Sequence, residues 1–416
     1  MSSLWHPFAE MHSVSDRELV IVRGEGVHVW DAHGRRYLDG SSSLWYANVG
    51  HGNREIAEAV ARQLASLETF HVFGDIANRP ALELADRLVA LAPMPGSKVF
   101  LTSGGGDSIE TAVKLARLFH SVNGEPERQH LISRTNGYHG THGIGTSILG
   151  MPFKEGFGPL VGQATQVEWD SLVALEREIH RVGADKVAAF VFEPVIGSGG
   201  VRVPPAGYLE GAEALCRAHG ILSIADVVIG AFGRLGSWYG IERFGLDPDL
   251  IAFAKGVTSG YLPLGGVVAS AHVAAPFFER PGASFAHGST YSGHATCCAA
   301  ALANLEILAR DDLVHRARRL EGAFHARVAT LTSHPLVSEV RGGIGLMAAV
   351  ALDPAILAAD ARASARLWAL AREAGLLTRG LADGVALAPP LIVGDDDMET
   401  IVQALGGALD ALQRER

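Results

Sequence analysis

Short apolar runs and longer amphipathic stretches alternate through the first two-thirds of the chain. The runs KVFLTS (98–103), HLISR (130–134), AAFVFEPV (188–195), LSIADVV (222–228), LIAFAK (250–255) and LGGVVAS (264–270) predict buried strands. Between several of them DSIETAVKLARLFHSV (107–122), SLVALEREIHRV (171–182) and GYLEGAEALCRAHG (207–220) place apolar residues at helical spacing. This succession predicts an α/β fold, with a mostly parallel sheet covered by helices. From about residue 299 a long helical stretch leads into a smaller α+β segment ending near 416. Near the start, GEGVHVWDAHGRRYLDG (24–40) predicts a β-hairpin that turns at DAHG. The pattern divides the chain into an N-terminal segment (1–60) packing with a small C-terminal domain (301–416), and a large domain (61–300).

Composition narrows the classes of function. The 416 residues are 48% hydrophobic and 19% charged, so the chain can bury a large core and has no disordered tract. A net charge of −10 argues against nucleic acid or an anionic membrane as a partner. Three cysteines, Cys216 and the adjacent Cys297 and Cys298, are too few for a disulfide framework and wrongly spaced for zinc. No run reaches transmembrane length, and MSSLWHPFAEMHS lacks the apolar core of a signal peptide. The expectation is a cytoplasmic protein.

Lysine usage singles out one residue. Of five lysines, Lys98, Lys114, Lys154 and Lys186 sit in polar surroundings, whereas Lys255 closes the apolar run LIAFA and is followed at once by glycine. A buried ammonium is costly unless paired or neutralised. In open α/β sheets such strand ends are where ligands bind. Asp226 ends the neighbouring run LSIAD in the same way, where a carboxylate can hold a protonated ring nitrogen or cap the next turn. In LTSGGGDSIETAVKLAR (101–117), a strand, three glycines and a helix start form a cradle suited to an anion such as phosphate. It is neither a Walker A loop, because no GK[ST] follows, nor the dinucleotide fingerprint, because Ile109 stands where the last glycine belongs. That removes the nicotinamide oxidoreductase reading. RTNGYHGTHG (134–143) offers an aromatic that can stack on a flat cofactor, and FAHGSTYSGHA (285–295) offers Ser289 and Thr290 to a phosphate. His139 and His142 have no accompanying ligand set, so no metal site is expected. A phosphate cradle, an aromatic platform, an acid and a lysine together describe pyridoxal phosphate.

The chain resembles the class III pyridoxal-phosphate aminotransferases of fold type I, from LWHPF (4–8) to APPLIV (388–393). The most specific piece is ADVVIGAFGRLGSWYGIERFGLDPDLIAFAKGVTSGYLPLGG (225–266); SGGGDSIETAVKLAR, GYHGTHG, FEPVIGSGG and HGSTYSGH stand in the family's order. The resemblance implies a seven-stranded sheet in the large domain. It implies that Lys255 bonds the cofactor aldehyde and then shuttles the substrate proton, and that Asp226 keeps the pyridine nitrogen protonated. Tyr138 and Val228 would flank the ring, with His139 beside it. The amides of Gly105 and Gly106 would hold the phosphate. Glu193 would orient polar groups near the ring and pair with an arginine. Gly288, Ser289 and Thr290 would complete the phosphate site from the other subunit of a homodimer, with pairing into a tetramer left open. Three positions depart from the family pattern: Gly106 for a common serine, Val227 for a glutamate, and Ala295 for a proline.

Two branches of the family compete. One comprises the ω-amino acid or amine:pyruvate transaminases. The other is the biotin-pathway adenosylmethionine-8-amino-7-oxononanoate aminotransferase. That enzyme typically carries tyrosine at the position of Phe8 and aspartate at the position of Thr141, so the first branch is favoured. Trp45 would wall the substrate pocket, and Arg379, ten residues before Pro389, would clamp a substrate carboxylate. The resulting expectation is ping-pong transfer from a small-molecule amine to an oxo acid. An aminomutase or a decarboxylating transaminase would use the same lysine and remains an alternative.

Overall fold

A computed structural model describes residues 3–14 and 17–416; Met1, Ser2, Ser15 and Asp16, within the 1–60 segment, lie outside the described residues. The chain begins with three antiparallel strands, β1 (Ile21–Glu25), β2 (His28–Asp31) and β3 (Arg36–Asp39). The hairpin expected over 24–40 is therefore two turns rather than one. Gly24 and Glu25 belong to β1, and Gly26 turns the chain with φ of 58°. The second turn is DAHG, as the sequence suggests. Asp31 Oδ1 accepts the amides of His33 and Arg35, both at 2.9 Å, an aspartate holding its own turn.

The central sheet has seven strands: β4 (Lys98–Thr102), β5 (His130–Arg134), β6 (Ala164–Val167), β7 (Val187–Phe192), β8 (Leu222–Asp226), β9 (Leu250–Phe253) and β10 (Gly265–Ala269). Their order is β4-β10-β9-β8-β7-β5-β6. Only β10 runs antiparallel to its neighbours. β7, β8, β9 and β10 are buried at every residue, which is why their sequences read as unbroken apolar runs. β6 is the strand that periodicity misses: four residues, ATQV, at the sheet edge and mostly half-buried. The helix Gly105–Val122 packs across the sheet against β4, β7, β8, β9 and β10.

The long helical stretch after 299 is two helices, Ala295–Arg310 and Leu313–Ala329. The chain breaks between them at Asp312, whose φ is 51°. Beyond lie β11 (Val337–Gly342), β12 (Ala348–Leu352), β13 (Leu376–Leu377), β14 (Arg379–Gly380) and β15 (Gly384–Leu387). Four of them form a sheet in the order β11-β12-β15-β14. β13 instead pairs in parallel with β3, Leu376 opposite Leu38. The fully buried Arg234 ties distant segments together. It donates to the carbonyls of Leu346 (3.1 Å) and Pro389 (2.6 Å), to Ser42 Oγ (2.8 Å) and to Asn48 Oδ1 (3.0 Å). Among the described residues no helix is long and apolar enough to cross a membrane.

Candidate active site

β8 and β9 are parallel neighbours, with Asp226 opposite Ala252. Both strands therefore deliver their last polar groups to the same edge of the sheet. Lys255 follows β9 in a 3₁₀ turn, Lys255–Val257, with φ of 48°. A left-handed lysine is strained, and strain of this kind concentrates at functional positions. Asp226, Lys255, Glu193, Tyr138, His139, Val228, Gly105 and Gly106 line one cavity of about 170 Å³, with Ile109, Gly140 and Ile229 completing its wall. The sequence reading gathered the first eight; Ile109 and Ile229 carry no chemical signal and emerge only from packing.

Each group is held by a distinct local device. Asp226 Oδ1 accepts the amide of Val228 at 3.1 Å, and Oδ2 lies 2.8 Å from His139 Nδ1. His139 is thus the support behind the aspartate, its side chain fully buried and its Nε2 without a partner. Glu193 differs from expectation. Its carboxylate accepts the amides of Tyr138 (3.0 Å) and Gly197 (2.9 Å), so both oxygens brace backbone, and among the described residues no arginine pairs with them. Burial, and then the nearby Asp226 charge, raise the Glu193 pKa. Tyr138 is also pushed up, chiefly by burial, while the Arg379 charge opposes the rise.

The side-chain amine of Lys255 makes no hydrogen bond or ion pair with any described residue. Burial lowers its pKa below the ordinary 10.5; Asp226 and Glu193 resist that shift and Arg379 adds to it. A lowered pKa is what an amine nucleophile needs, because only the neutral form attacks a carbonyl. Arg379, on β14, is half-buried and likewise has no carboxylate partner, its own pKa lowered by burial.

The glycine cradle is built by close approach. A Cβ on Gly105 would stand 2.9 Å from Val228 Cγ1, so only glycine lets the helix start reach the strand end. Ser108 Oγ then locks that start in place, 3.0 Å from the carbonyl of Phe253 and 2.9 Å from Thr102 Oγ1. Sequence reasoning placed Ser108 at the helix opening but not this bridge to the lysine-bearing strand.

Two sets of expected residues lie elsewhere. Trp45 is only 2% exposed and packs in an apolar cluster with Val195 and Ile229, behind the wall rather than lining the cavity. Gly288 and Thr290 are exposed and Ser289 Oγ meets Ser103 Oγ at 3.1 Å, but none of the three lines the cavity of their own chain. Pyridoxal phosphate fits the observed residues. The cavity offers an unpartnered amine, a buried carboxylate anchored on its far side by a histidine, and a backbone cradle that any side chain at Gly105 would fill.

Comparison with known proteins agrees with this geometry. The class III aminotransferase family model matches residues 11–409. A putrescine–pyruvate aminotransferase of Pseudomonas aeruginosa is 33% identical, covering 97% of this chain and 93% of its own. A thermostable (S)-enantioselective ω-transaminase from Thermomicrobium roseum superposes with a TM-score of 0.94 at 38% identity, over 98% of this chain and 96% of that one. An amine transaminase from an uncultivated Pseudomonas species, solved in its pyridoxal-phosphate-bound form, gives 0.92 at 36% identity over 99% of each chain. The chain belongs to the class III aminotransferases, enzymes of fold type I that work with pyridoxal phosphate.

Proposed function

We propose that this transaminase moves an amino group from an ω-amino acid, diamine or amine donor to pyruvate or a similar oxo acid, in a ping-pong cycle. The observation that carries this reading is Arg379. It is a half-buried cation without a carboxylate partner among the described residues, close enough to Tyr138 and Lys255 to shift both. Arg379 lines a separate cavity of about 630 Å³, and a guanidinium there, within electrostatic reach of Lys255, suits the carboxylate of an oxo acid and of an amino-acid donor. The putrescine–pyruvate relative and the ω-transaminase structure support the same substrate range. Phe8 also speaks against the biotin-pathway enzyme. It is 62% exposed and meets Phe153 edge-on at 5.5 Å, with no hydroxyl to offer a polar donor.

The bound cofactor supplies an aldehyde carbon and a conjugated ring that accepts an electron pair. Lys255, with its lowered pKa, holds that aldehyde and afterwards carries the proton from the donor's amine-bearing carbon. Asp226, steadied by His139, keeps a proton on the ring nitrogen. Tyr138 and Val228 flank the ring, and Ile109 and Ile229 help exclude water. The amides of Gly105 and Gly106, at the positive end of an 18-residue helix, hold the phosphate. Glu193 keeps the Tyr138 backbone in register.

A second copy of this chain completes the site in this reading. Phe73, Ile76 and Leu82 are exposed around an apolar groove of about 790 Å³ whose far wall includes Gly288, next to Ser289 and Thr290. A dimer covering this groove would bring the partner subunit's Thr290 to the phosphate.

Visible absorbance of the cofactor-loaded enzyme tests the substrate reading, with single donors added in the absence of acceptor. β-Alanine, putrescine, L-alanine or one enantiomer of 1-phenylethylamine should bleach the yellow form, and pyruvate should restore it. Bleaching by S-adenosylmethionine alone would transfer the enzyme to the biotin-pathway branch.

A further inference from the structure

Gly106 takes the place of a serine common in the family, yet the space beside it is filled. A Cβ on Gly106 would lie 3.0 Å from both Nε2 and Cε1 of His142, closer than a side chain tolerates unless the ring moves. The backbone leading to His142 presses on the same point, since a Cβ on Gly140 would lie 3.1 Å from the Cα of Gly106. His142 itself is firmly carried. Its carbonyl accepts the amide of Thr146 at 2.8 Å, and Glu110 Oε1 accepts the amides of Ile144 and Gly145 at 2.6 and 3.1 Å. The side chain itself is 52% exposed, with Nδ1 3.6 Å from Asp107 Oδ1 and the Nε2 edge against the start of the helix. Nε2 has no hydrogen-bond partner among the described residues.

We propose that His142 is a phosphate-positioning residue of the cofactor cradle, its imidazole taking over from the hydroxyl that Gly106 lacks. The proposal rests on the phosphate lying at the amides of Gly105 and Gly106. With Nδ1 towards Asp107 and Nε2 towards the cradle, an N–H on Nε2 would donate to an anion held there. The exchange is paired by geometry. Serine at 106 and histidine at 142 compete for one volume, so glycine at 106 is the condition for the imidazole to sit there. His142 lines a second cavity of about 270 Å³, beside rather than within the one that holds Lys255, and the other charged or titratable groups facing it are Asp107, Glu110 and Lys114 on the helix Gly105–Val122, and His287 from the opposite loop.

The test uses cofactor-free enzyme. Pyridoxal phosphate is titrated in and its Kd read from protein fluorescence, inorganic phosphate is used as competitor, and the ³¹P resonance of the bound cofactor is followed with pH. His142→Ala should loosen pyridoxal phosphate about tenfold, the loss of one charge-assisted bond, and weaken competition by phosphate. His142→Gln, which keeps an N–H, should retain most of the affinity. Gly106→Ser alone should also loosen binding, because hydroxyl and ring collide, while Gly106→Ser with His142→Ala should recover it. The ³¹P resonance of the bound cofactor should differ between the wild type and His142→Ala. An unchanged Kd and ³¹P shift in His142→Ala, or tighter binding by Gly106→Ser alone, would overturn the role of His142. A wild-type enzyme that binds the cofactor without competition from phosphate would overturn the cradle reading beneath it.

Discussion

Replacing Arg379 with leucine should separate the two kinds of substrate proposed for this site. A carboxylate that loses its guanidinium forfeits ~1.5–3 kcal/mol, so the KM for pyruvate should rise roughly tenfold to a hundredfold. Steady-state kinetics with 1-phenylethylamine as donor should leave that donor's KM within about threefold, since it has no carboxylate to lose. Equal losses for both would remove Arg379 from substrate recognition. Lys255→Met probes the lysine in two ways. Turnover should fall beyond the ~10²–10⁴ of a single acid–base group, because the covalent attachment goes with it. The cofactor-free variant should also be more stable than cofactor-free wild type at pH 7 to 8. Between the lowered folded pKa of Lys255 and 10.5, the unfolded chain binds a proton that the folded chain has released. Wild-type stability therefore rises with pH through that window, and the advantage of the variant should shrink as pH approaches 10.5. Thermal melts across that range measure it; a gap that widens with pH would contradict the burial argument.

At the scale of elements, the helix start and the lysine strand act as one unit through Ser108. Ser108→Ala removes a buried donor from the Phe253 carbonyl and should cost ~1–3 kcal/mol in urea unfolding, together with looser cofactor binding. Stability lost with cofactor affinity intact would make Ser108 a packing residue only. This scale also shows how far the sequence could be read. β7, β8 and β9 were legible because full burial on both faces leaves uninterrupted apolar runs, against which a terminal Asp226 or Lys255 stands out. β6 was not legible, since an edge strand of four residues with two polar ones has no period to detect. The break at Asp312 escaped notice because apolar spacing continues through it while one residue turns left-handed. For a related reason the sequence does not say how Trp45 and Glu193 are held. Residue type announces chemistry, but whether a side chain faces a cavity or braces the backbone behind it depends on contacts remote in sequence.

At the scale of the whole molecule, the exposed apolar groove around Phe73 calls for a covering surface. In the dimer proposed above, Phe73→Glu should weaken self-association by roughly thirtyfold or more in sedimentation velocity, with activity falling in step if the partner's Thr290 completes the site. A fully active monomer would show that one chain suffices. The pairing of β13 with β3 has a different kind of consequence, in time rather than in space. Leu38 must wait for Leu376, 338 residues later, before its strand acquires that neighbour. At ~5–20 residues per second of synthesis, the nascent N-terminal sheet spends ~20–70 s with an open edge on the ribosome. Arg36 and Asp39, the charged ends of β3, flank Tyr37 and Leu38 on that edge, where charge discourages pairing with a neighbouring chain. The first strands of the protein to be made are thus among the last to be finished, and their charges guard them while they wait.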